Sequence, residues 1–444
     1  MKKTLMTILV SGLVLASCSK NQTTDNPLLQ EWNTPFQTAP FEKIKVEHYL
    51  PAFQAAMEEH NKEIQAIIDN AEEPNFENTI AALDYSGATL SKIAGVYYNM
   101  MAANTSPELQ KVHEEVGPLM AAHSDNVSMN AELFAKIKKV YDVKDKQNYT
   151  GEQLALLEKT YNKFVRSGAL LDVKKQEELK KVNAELTKVE AKFDANLLQE
   201  TKAYQLVIDK EENLEGLPQG EIEKAAALAK EKGQEGKWIF TLDNPSFIPF
   251  VTYAKNRDLR KEIFLARTNR CNNGGETDNN ELVAKMAELR AQKAQILGYE
   301  TFAHYQLEDR MAKEPKNVFN LLENLLSYSV KVAKEEAAQF QALLSKDVPG
   351  ATLEAWDMYY YAEKVRQQKY NFDAELTRPY FEINNVRQGC FDVLTKLYGI
   401  TFTQRDDISV YAEDVLAFEA KNEKGEHVGI MYWDPYTRVS KGGG

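Results

Sequence analysis

Residues 172–199 read DVKKQEELKKVNAELTKVEAKFDANLLQ, and this stretch shows most clearly how the chain folds. Its apolar side chains recur at spacings of three and four residues, at Leu179, Val182, Leu186, Val189, Phe193 and Leu197. Lysine and glutamate fill most of the positions between them. This spacing puts the apolar side chains on one stripe of a helix and the charges on the remaining surface. We therefore predict one long solvated helix, with Asp172 as its N-cap.

The same helical periodicity runs through most of the chain. Similar stripes lie at residues 51–70, 80–102, 152–165, 221–231, 282–297, 318–344 and 386–397. Strand patterns are few: residues 238–242 predict a short strand, and residues 415–420 and 427–433 flank turn residues and predict a β-hairpin. The predicted fold class is therefore mainly α, with a small β-hairpin near the C-terminus.

One composition shift suggests a domain boundary. Residues 231–236 form a polar, glycine-containing joint just before the first predicted strand. We predict an N-terminal helical domain over residues 27–235 and a second region over residues 236–444.

The N-terminus indicates export. Lys2 and Lys3 precede an apolar run over residues 5–16, which has the length of a signal-peptide core and is too short to span a bilayer. The run ends in Leu-Ala-Ser-Cys18, which resembles the lipobox of bacterial lipoproteins. We expect a signal peptide at residues 1–17, lipidation of Cys18 and a polar tether over residues 18–26. The alternative is an ordinary secretory signal with an incidental cysteine.

These features predict a protein of the bacterial cell envelope, held on the periplasmic side and touching the membrane only through its lipid. The formal charge of −12, spread along an acidic chain, argues against a nucleic-acid partner. We expect a monomer. Cys271 and Cys390 are far apart in sequence and are expected to be separate thiols.

Histidine spacing gives no zinc site. A zinc peptidase helix needs His-Glu-x-x-His, because residues four apart place both imidazoles on one face. At His113 the fifth residue of the pattern is Gly117, and we expect Pro118 to interrupt the helix before His123. His304 and Glu308 are four apart and could share a metal, but a surface pair is the commoner outcome. His48, His60 and His427 have no partner pattern.

Other catalytic patterns are also missing from the sequence. There is no Gly-x-Ser-x-Gly motif, and Cys271 lies in a polar loop without a neighbouring histidine. The aromatic run Trp356-Asp-Met-Tyr-Tyr-Tyr361 could line a groove for a peptide or sugar. From the residues alone, an aromatic helix start packed against a neighbour is the favoured interpretation.

That aromatic run also carries a family resemblance. Residues 353–364, LEAWDMYYYAEK, resemble the Pro-Trp-Asp-x-x-Tyr-Tyr segment of the M3 zinc metallopeptidases. Further segments agree in the family's order: residues 74–80 (PNFENTI), 256–261 (NRDLRK), 266–268 (ART), 291–299 (AQKAQILGY), 311–313 (MAK), 378–381 (RPYF) and 397–402 (LYGITF). Within the family, the pattern looks most similar to the bacterial peptidyl-dipeptidases.

The resemblance implies a mostly helical, elongated body split by a deep channel with one zinc at its floor. Such enzymes cleave short peptides, and the peptidyl-dipeptidase branch removes C-terminal dipeptides. In the family, zinc lies on a His-Glu-x-x-His helix with a further glutamate downstream, and the glutamate of the motif activates water. We expect the hairpin of residues 415–433, with Trp433 and the glycine-rich tail, to line the channel and pair with an extended substrate.

The sequence departs from the family at its last residues. Residues 434–443, DPYTRVSKGG, match a segment that precedes the zinc helix in the family. We therefore expect the zinc ligands, the general base and the oxyanion donors to lie beyond Gly444. No catalytic, cofactor or metal residue is assigned, and we expect neither peptidase activity nor specific zinc binding from these 444 residues alone. The alternative is a non-catalytic envelope lipoprotein that binds peptides or a partner in a helical groove.

Overall fold

Helices dominate the computed structural model, which describes residues 25–372 and 374–442. Cys18 and the predicted signal peptide lie outside the described residues. The fifteen α-helices of the described part are α1 (Tyr49–Asp69), α2 (Ala82–Tyr85), α3 (Ala88–Ala103), α4 (Pro107–Ser128), α5 (Ala131–Asp142), α6 (Gly151–Arg166), α7 (Val173–Ala203), α8 (Gln219–Glu231), α9 (Asn244–Tyr253), α10 (Arg257–Thr268), α11 (Asn280–Ile296), α12 (Phe302–Leu307), α13 (Pro315–Asp347), α14 (Met358–Tyr370) and α15 (Ile383–Tyr398).

In the described part of the chain, five short strands form two small sheets. The strands are β1 (Leu206–Ile208), β2 (Trp238–Phe240), β3 (Thr401–Gln404), β4 (Leu416–Lys421) and β5 (His427–Trp433). β1 and β2 form an antiparallel pair, and the other three make a sheet in the order β3-β4-β5. The predicted hairpin is present as β4 and β5, and the mainly α fold class is confirmed. The elongated body and the channel stay predictions.

The chain divides into two compact units. Among the described residues, unit 1 comprises residues 25–188, 402–421 and 425–442, and unit 2 lies within residues 189–401 and 422–424. The predicted limit between residues 235 and 236 falls inside unit 2, and as a domain boundary it stays a prediction.

Unit 1 is built around two apolar clusters. In the first, α1, α3 and α4 bury side chains such as Phe53, Ile93 and Val116 against Leu28. In the second, the other end of α1 packs with α5 and α6 through residues such as Leu133 and Leu157. The second cluster also buries Phe76, which begins a π-helical turn, Phe76–Ala81, capped by Asn75. The motif at residues 74–80 is therefore a capped turn that fixes a core aromatic residue.

Two apolar clusters are also seen among the described residues of unit 2. The β1–β2 pair packs with α9 and α10 around Phe240, Phe250 and Ile263. The C-terminal end of α13 packs with α14 through Phe340, Leu344 and Tyr361.

The long helix predicted from residues 172–199 is α7. The Lys175 backbone N–H donates to the Asp172 carboxylate over 2.9 Å, so Asp172 caps the helix as predicted. Leu179, Val182, Leu186 and Val189 of the stripe are buried.

Two helix predictions were wrong. Residues 80–102 are not one helix, because the chain breaks at Ser86 and Gly87 between α2 and α3. Gly87 has a φ of +72°, and its N–H donates to the Glu63 carboxylate over 2.7 Å instead of continuing the helix. Pro118, in contrast, does not interrupt α4, which runs from Pro107 to Ser128. An internal proline removes one backbone hydrogen bond, and here the packed residues on both sides keep the helix intact.

The end of the predicted tether is also ordered. Asn26 is buried, donates from its side-chain amide to the His48 carbonyl over 2.7 Å, and accepts from the Leu28 N–H. Its side-chain amide hydrogen-bonds to two backbone groups, and these bonds compensate for burying a polar residue here. Among the described residues, no helix has the length and apolar character needed to cross a membrane.

Candidate functional site

Two of the family-like motifs meet in an ion-pair cluster in unit 2. Asp357 is completely buried and lies between Arg257 and Arg260 of α10. Arg257 donates to it through two nitrogens, the shorter contact being 2.7 Å, and Arg260 donates over 3.1 Å. Arg260 is itself 1% exposed. A buried carboxylate with two guanidinium partners is compensated for its loss of hydration, so these motif residues build the fold.

The aromatic run beside Asp357 is mostly packed. Tyr360 and Tyr361 are buried against the end of α13, and the Tyr361 hydroxyl donates to Asp347. The Arg260 guanidinium lies 4.0 Å from the Tyr360 ring centroid, a cation–π contact. The structure favours the packing interpretation of this run over a ligand groove.

The candidate site is the outer edge of β5 in unit 1. Among residues 25–372 and 374–442, no further strand pairs with that edge. Leu416 pairs with Trp433, Phe418 with Met431, and β4 lies in the middle of the sheet. An open edge presents unpaired backbone N–H and C=O groups, to which an extended peptide can add as another strand.

A cluster of polar and charged residues lies at the C-terminal end of β5, and we call it the clasp. It consists of Asp434, Arg438 and Lys441, which follow β5, and of Tyr411 and Asp414, which precede β4. Arg438 donates to both oxygens of Asp434 over 2.8 Å and to Asp414 over 2.9 Å. Tyr411 donates its hydroxyl to Asp434 over 3.0 Å, and the Lys441 ammonium lies 3.4 Å from the same carboxylate. The paired Arg438 fixes where the strand ends.

The clasp also attaches the last described residues to the end of α3. Arg438 donates to the Ala103 carbonyl, and the Gly442 N–H donates to the Ala102 carbonyl, both over 2.8 Å. The Thr105 N–H donates to the Ser440 carbonyl over 2.7 Å. These bonds satisfy backbone groups that a helix end otherwise leaves without partners.

Ionisation reinforces the clasp. Hydrogen bonds from Arg438 hold the pKa of Asp434 below its usual range. Burial, with the adjacent Asp434, raises the pKa of Tyr411 to about 12. At neutral pH the carboxylate is therefore charged and the phenol is protonated, which is the state that makes these bonds.

The histidines considered from sequence do not form a metal centre. His113 and His123 both lie on α4, but His113 stacks near Tyr97 while His123 contacts His60. His304 lies 3.7 Å from Glu300, whereas Glu308 accepts from the Tyr299 hydroxyl. Across the described residues, no group of three or more His, Cys, Asp or Glu side chains is arranged to hold a metal ion. These residues do not fit the zinc that the family implies.

Both described cysteines are free thiols, as predicted. Cys271 is buried, and desolvation together with Glu200 raises the pKa of its thiol to about 11. A thiol with so high a pKa is a poor nucleophile at neutral pH. Cys390 is exposed on α15.

The sequence interpretation missed the partners that organise these motifs. The sequence identifies five of these residues only as members of family-like motifs: Arg257, Arg260, Asp357, Asp434 and Arg438. The signal was available, because a charge inside an aromatic run must find an opposite charge when it is buried. The sequence did not say which of the 54 cationic residues would supply that charge.

Comparisons with known proteins point to one family. Residues 250–444 match the model of Peptidase family M3. The chain is 34% identical over 423 residues to a dipeptidyl carboxypeptidase of Escherichia coli, covering 95% of this chain and 62% of that protein. It is 31% identical to an oligopeptidase A of Salmonella typhimurium, covering 94% of this chain and 62% of the relative. The chain thus spans about three fifths of the length of these relatives.

The fold, the ordered motifs and these matches define a mainly helical protein related to a family of peptidases. The chain belongs to peptidase family M3.

Proposed function

We propose that this chain forms the substrate-binding part of a peptidase that acts on short peptides and releases C-terminal dipeptides. The observation that carries the proposal is the open edge of β5, held by the clasp, within the region that matches the family. The relatives named dipeptidyl carboxypeptidase support the dipeptide-releasing branch.

The backbone direction along β5 follows from its neighbours. The Ala417 carbonyl accepts from the Arg405 N–H, so the backbone of Ala417 faces away from β5. In an antiparallel pair, hydrogen-bonded and non-bonded positions alternate. Residues 416 and 418 therefore bond to β5, and with this register Ile430 and Tyr432 turn their N–H and C=O groups toward the open edge.

A binding experiment tests this strand. We expect a hydrolysis-resistant short peptide with a free C-terminus to bind the 444-residue chain weakly in calorimetry. Ile430→Pro removes one N–H on the open edge and should weaken binding about tenfold or more, since proline is tolerated at a sheet edge but cannot donate. Ile430→Val keeps the N–H and should bind as the parent does. Equal binding by both variants would exclude the β5 edge as the docking strand.

Catalysis in the family needs zinc. We propose that these 444 residues alone do not bind zinc specifically and do not cleave peptides. In the family, zinc polarises the scissile carbonyl and activates water. We expect no dipeptide release from a short blocked peptide, with or without added zinc, when the products are measured by mass spectrometry. Zinc-dependent cleavage by the purified chain would contradict this. Replacing the residue equivalent to Trp433 in a longer relative should, in contrast, impair peptide turnover.

We further propose that the protein is exported and anchored in the bacterial cell envelope through a lipid on Cys18. The support is the sequence pattern before Cys18. Growth with radiolabelled palmitate should label the parent protein and leave Cys18→Ser unlabelled. Equal labelling of the two would reject the anchor, and an unlabelled, secreted parent would indicate an ordinary signal peptide.

A further inference from the structure

Two histidines face each other in a cavity of unit 1, away from the β5 edge residues. His60 lies on α1 and His123 on α4, and His60 Nδ1 is 2.8 Å from His123 Nε2. His123 is 8% exposed. The cavity measures about 320 Å³ and is lined by both rings, by Ser86 and by polar side chains of α4 and α6. Apolar side chains such as Leu83 and Phe164 complete the lining, and a cavity of this size with several polar groups can admit water.

The heavy-atom contacts assign the direction of each hydrogen bond. The Ser86 hydroxyl lies 2.7 Å from the Leu83 carbonyl and must donate its proton there. Ser86 Oγ therefore accepts from His60 Nε2–H, which is 3.1 Å away. A neutral imidazole carries one proton, so His60 Nδ1 is an acceptor and His123 Nε2–H donates to it. The result is a relay from His123 through His60 and Ser86 to a backbone carbonyl.

The relay is attached to the break between α2 and α3. A β-carbon on Gly87 would lie 3.2 Å from the His60 ring, so the ring rests against this glycine. Glu63, one turn after His60 on α1, accepts from the Gly87 N–H over 2.7 Å. His60 and Glu63 together hold the break against α1.

Burial disfavours a proton on either ring. Desolvation is the main cause that lowers the pKa of His60. The Lys163 ammonium of α6 lowers this pKa further, and the Glu63 carboxylate raises it. Desolvation and then His60 lower the pKa of His123.

Other charged groups surround the pair. Asp84 of α2 lines the cavity, while α3 contributes the uncharged Leu90 and Ser91. Glu59 of α1 accepts from the Thr89 hydroxyl on α3. On α4, the Asp125 carboxylate accepts from the Asn183 amide of α7.

We propose that His60 and His123 form a proton-operated latch that holds the Ser86–Gly87 break against α1 and releases it on mild acidification. A first proton taken up at His123 Nδ1 leaves the 2.8 Å bond in place. Once His60 Nδ1 is protonated as well, two N–H donors face each other on two cationic rings, and the bond is lost. The closed form binds protons more weakly than the open form, in which the rings are hydrated. Closure is therefore fully stabilised above about pH 6.5 and is lost as the pH falls below that value.

Hydrogen exchange measures the latch in the intact chain. After correction for the intrinsic pH dependence of exchange, we expect amides of residues 83–92 to be about fivefold less protected at pH 5.5 than at pH 7.5. The double variant His60→Gln and His123→Gln should show no such pH response. His304→Gln, an exposed histidine in unit 2, should behave as the parent does.

A second measurement needs no substitution. In nitrogen NMR spectra of histidine-labelled parent protein, we expect His60 in the Nε2–H tautomer and both rings neutral at pH 6.5. Independent titration of the two rings near their ordinary values would overturn the proposal. Equal protection of the parent at both pH values would overturn it as well, and so would a double variant that responds to pH like the parent.

Discussion

At the scale of single residues, Asp357 shows how a motif can be structural. The carboxylate is buried with Arg257 and Arg260, and the second of these guanidinium groups is almost fully buried too. Three charges of this kind are stable together, but removing the one anion leaves two cations with no counterion.

We therefore predict that Asp357→Ala lowers the free energy of unfolding of unit 2 by about 3 kcal/mol. Urea denaturation followed by the fluorescence of the aromatic run measures the change. Asp309→Ala is the control, because it removes an exposed carboxylate, 3.7 Å from Arg310, that lies outside the buried cluster. A loss no larger than that of the control would show that the cluster contributes little to stability.

At the scale of elements, helix existence was predictable and helix continuity was not. The stripe of α7 and its Asp172 cap follow from periodicity and a local hydrogen bond, and both are confirmed. The break at Gly87 depends on Glu63, which lies 24 residues away in sequence. Pro118 was predicted to interrupt the helix because it removes a backbone hydrogen bond, whereas packing on both sides of it keeps α4 intact. Long-range contacts of this kind are not visible in a local pattern.

The clasp gives the element-scale prediction. Arg438→Met removes charged hydrogen bonds to Asp434 and Asp414, each of a type worth about 2 kcal/mol. We expect the amides of Thr105 and Gly442 to exchange at least about tenfold faster, because their bonds lie at the junction that Arg438 fixes. Lys424→Met, at an exposed position in the hairpin turn, should leave both amides unchanged. Unchanged exchange in Arg438→Met would mean that the backbone bonds hold the junction alone.

At the scale of the whole molecule, unit 2 exposes a long apolar surface. The exposed large apolar side chains of the N-terminal half of α13 are Phe319, Leu321, Leu322, Leu325, Leu326, Tyr328, Val330 and Val332. Contiguous patches of this kind favour association with other apolar surfaces. The expected monomer stays a prediction, and this helix is where association would begin.

Polar substitution of that surface should reduce self-association. Leu321, Leu325 and Tyr328 lie on one face of the helix, at spacings of four and three residues. Their side chains are 62%, 54% and 76% exposed. The triple change of these residues to Gln should lower binding of a hydrophobic dye and lower the apparent mass in light scattering, with helix content retained. A matched triple of exposed charged residues, Lys316→Gln, Glu323→Gln and Lys334→Gln, should change neither signal. If both triples behave alike, α13 is not an association surface.

The family was recognisable from sequence, while the position of the candidate site within the fold was not. The hairpin of residues 415–433 was predicted, and β5 is indeed an edge strand. The clasp that follows it joins residues that are 335 positions apart, such as Arg438 and Ala103. No turn rule or periodicity links such distant positions.

That separation sets an order of events during protein synthesis. Ribosomes add about 5–20 residues per second, so the end of α3 waits roughly 20–70 s between its own appearance and that of Arg438. Throughout that interval the carbonyls of Ala102 and Ala103 can bond only to water or to a holding chaperone. Unit 1 contains the first helices to be made, yet it is completed only after Arg438 has left the ribosome.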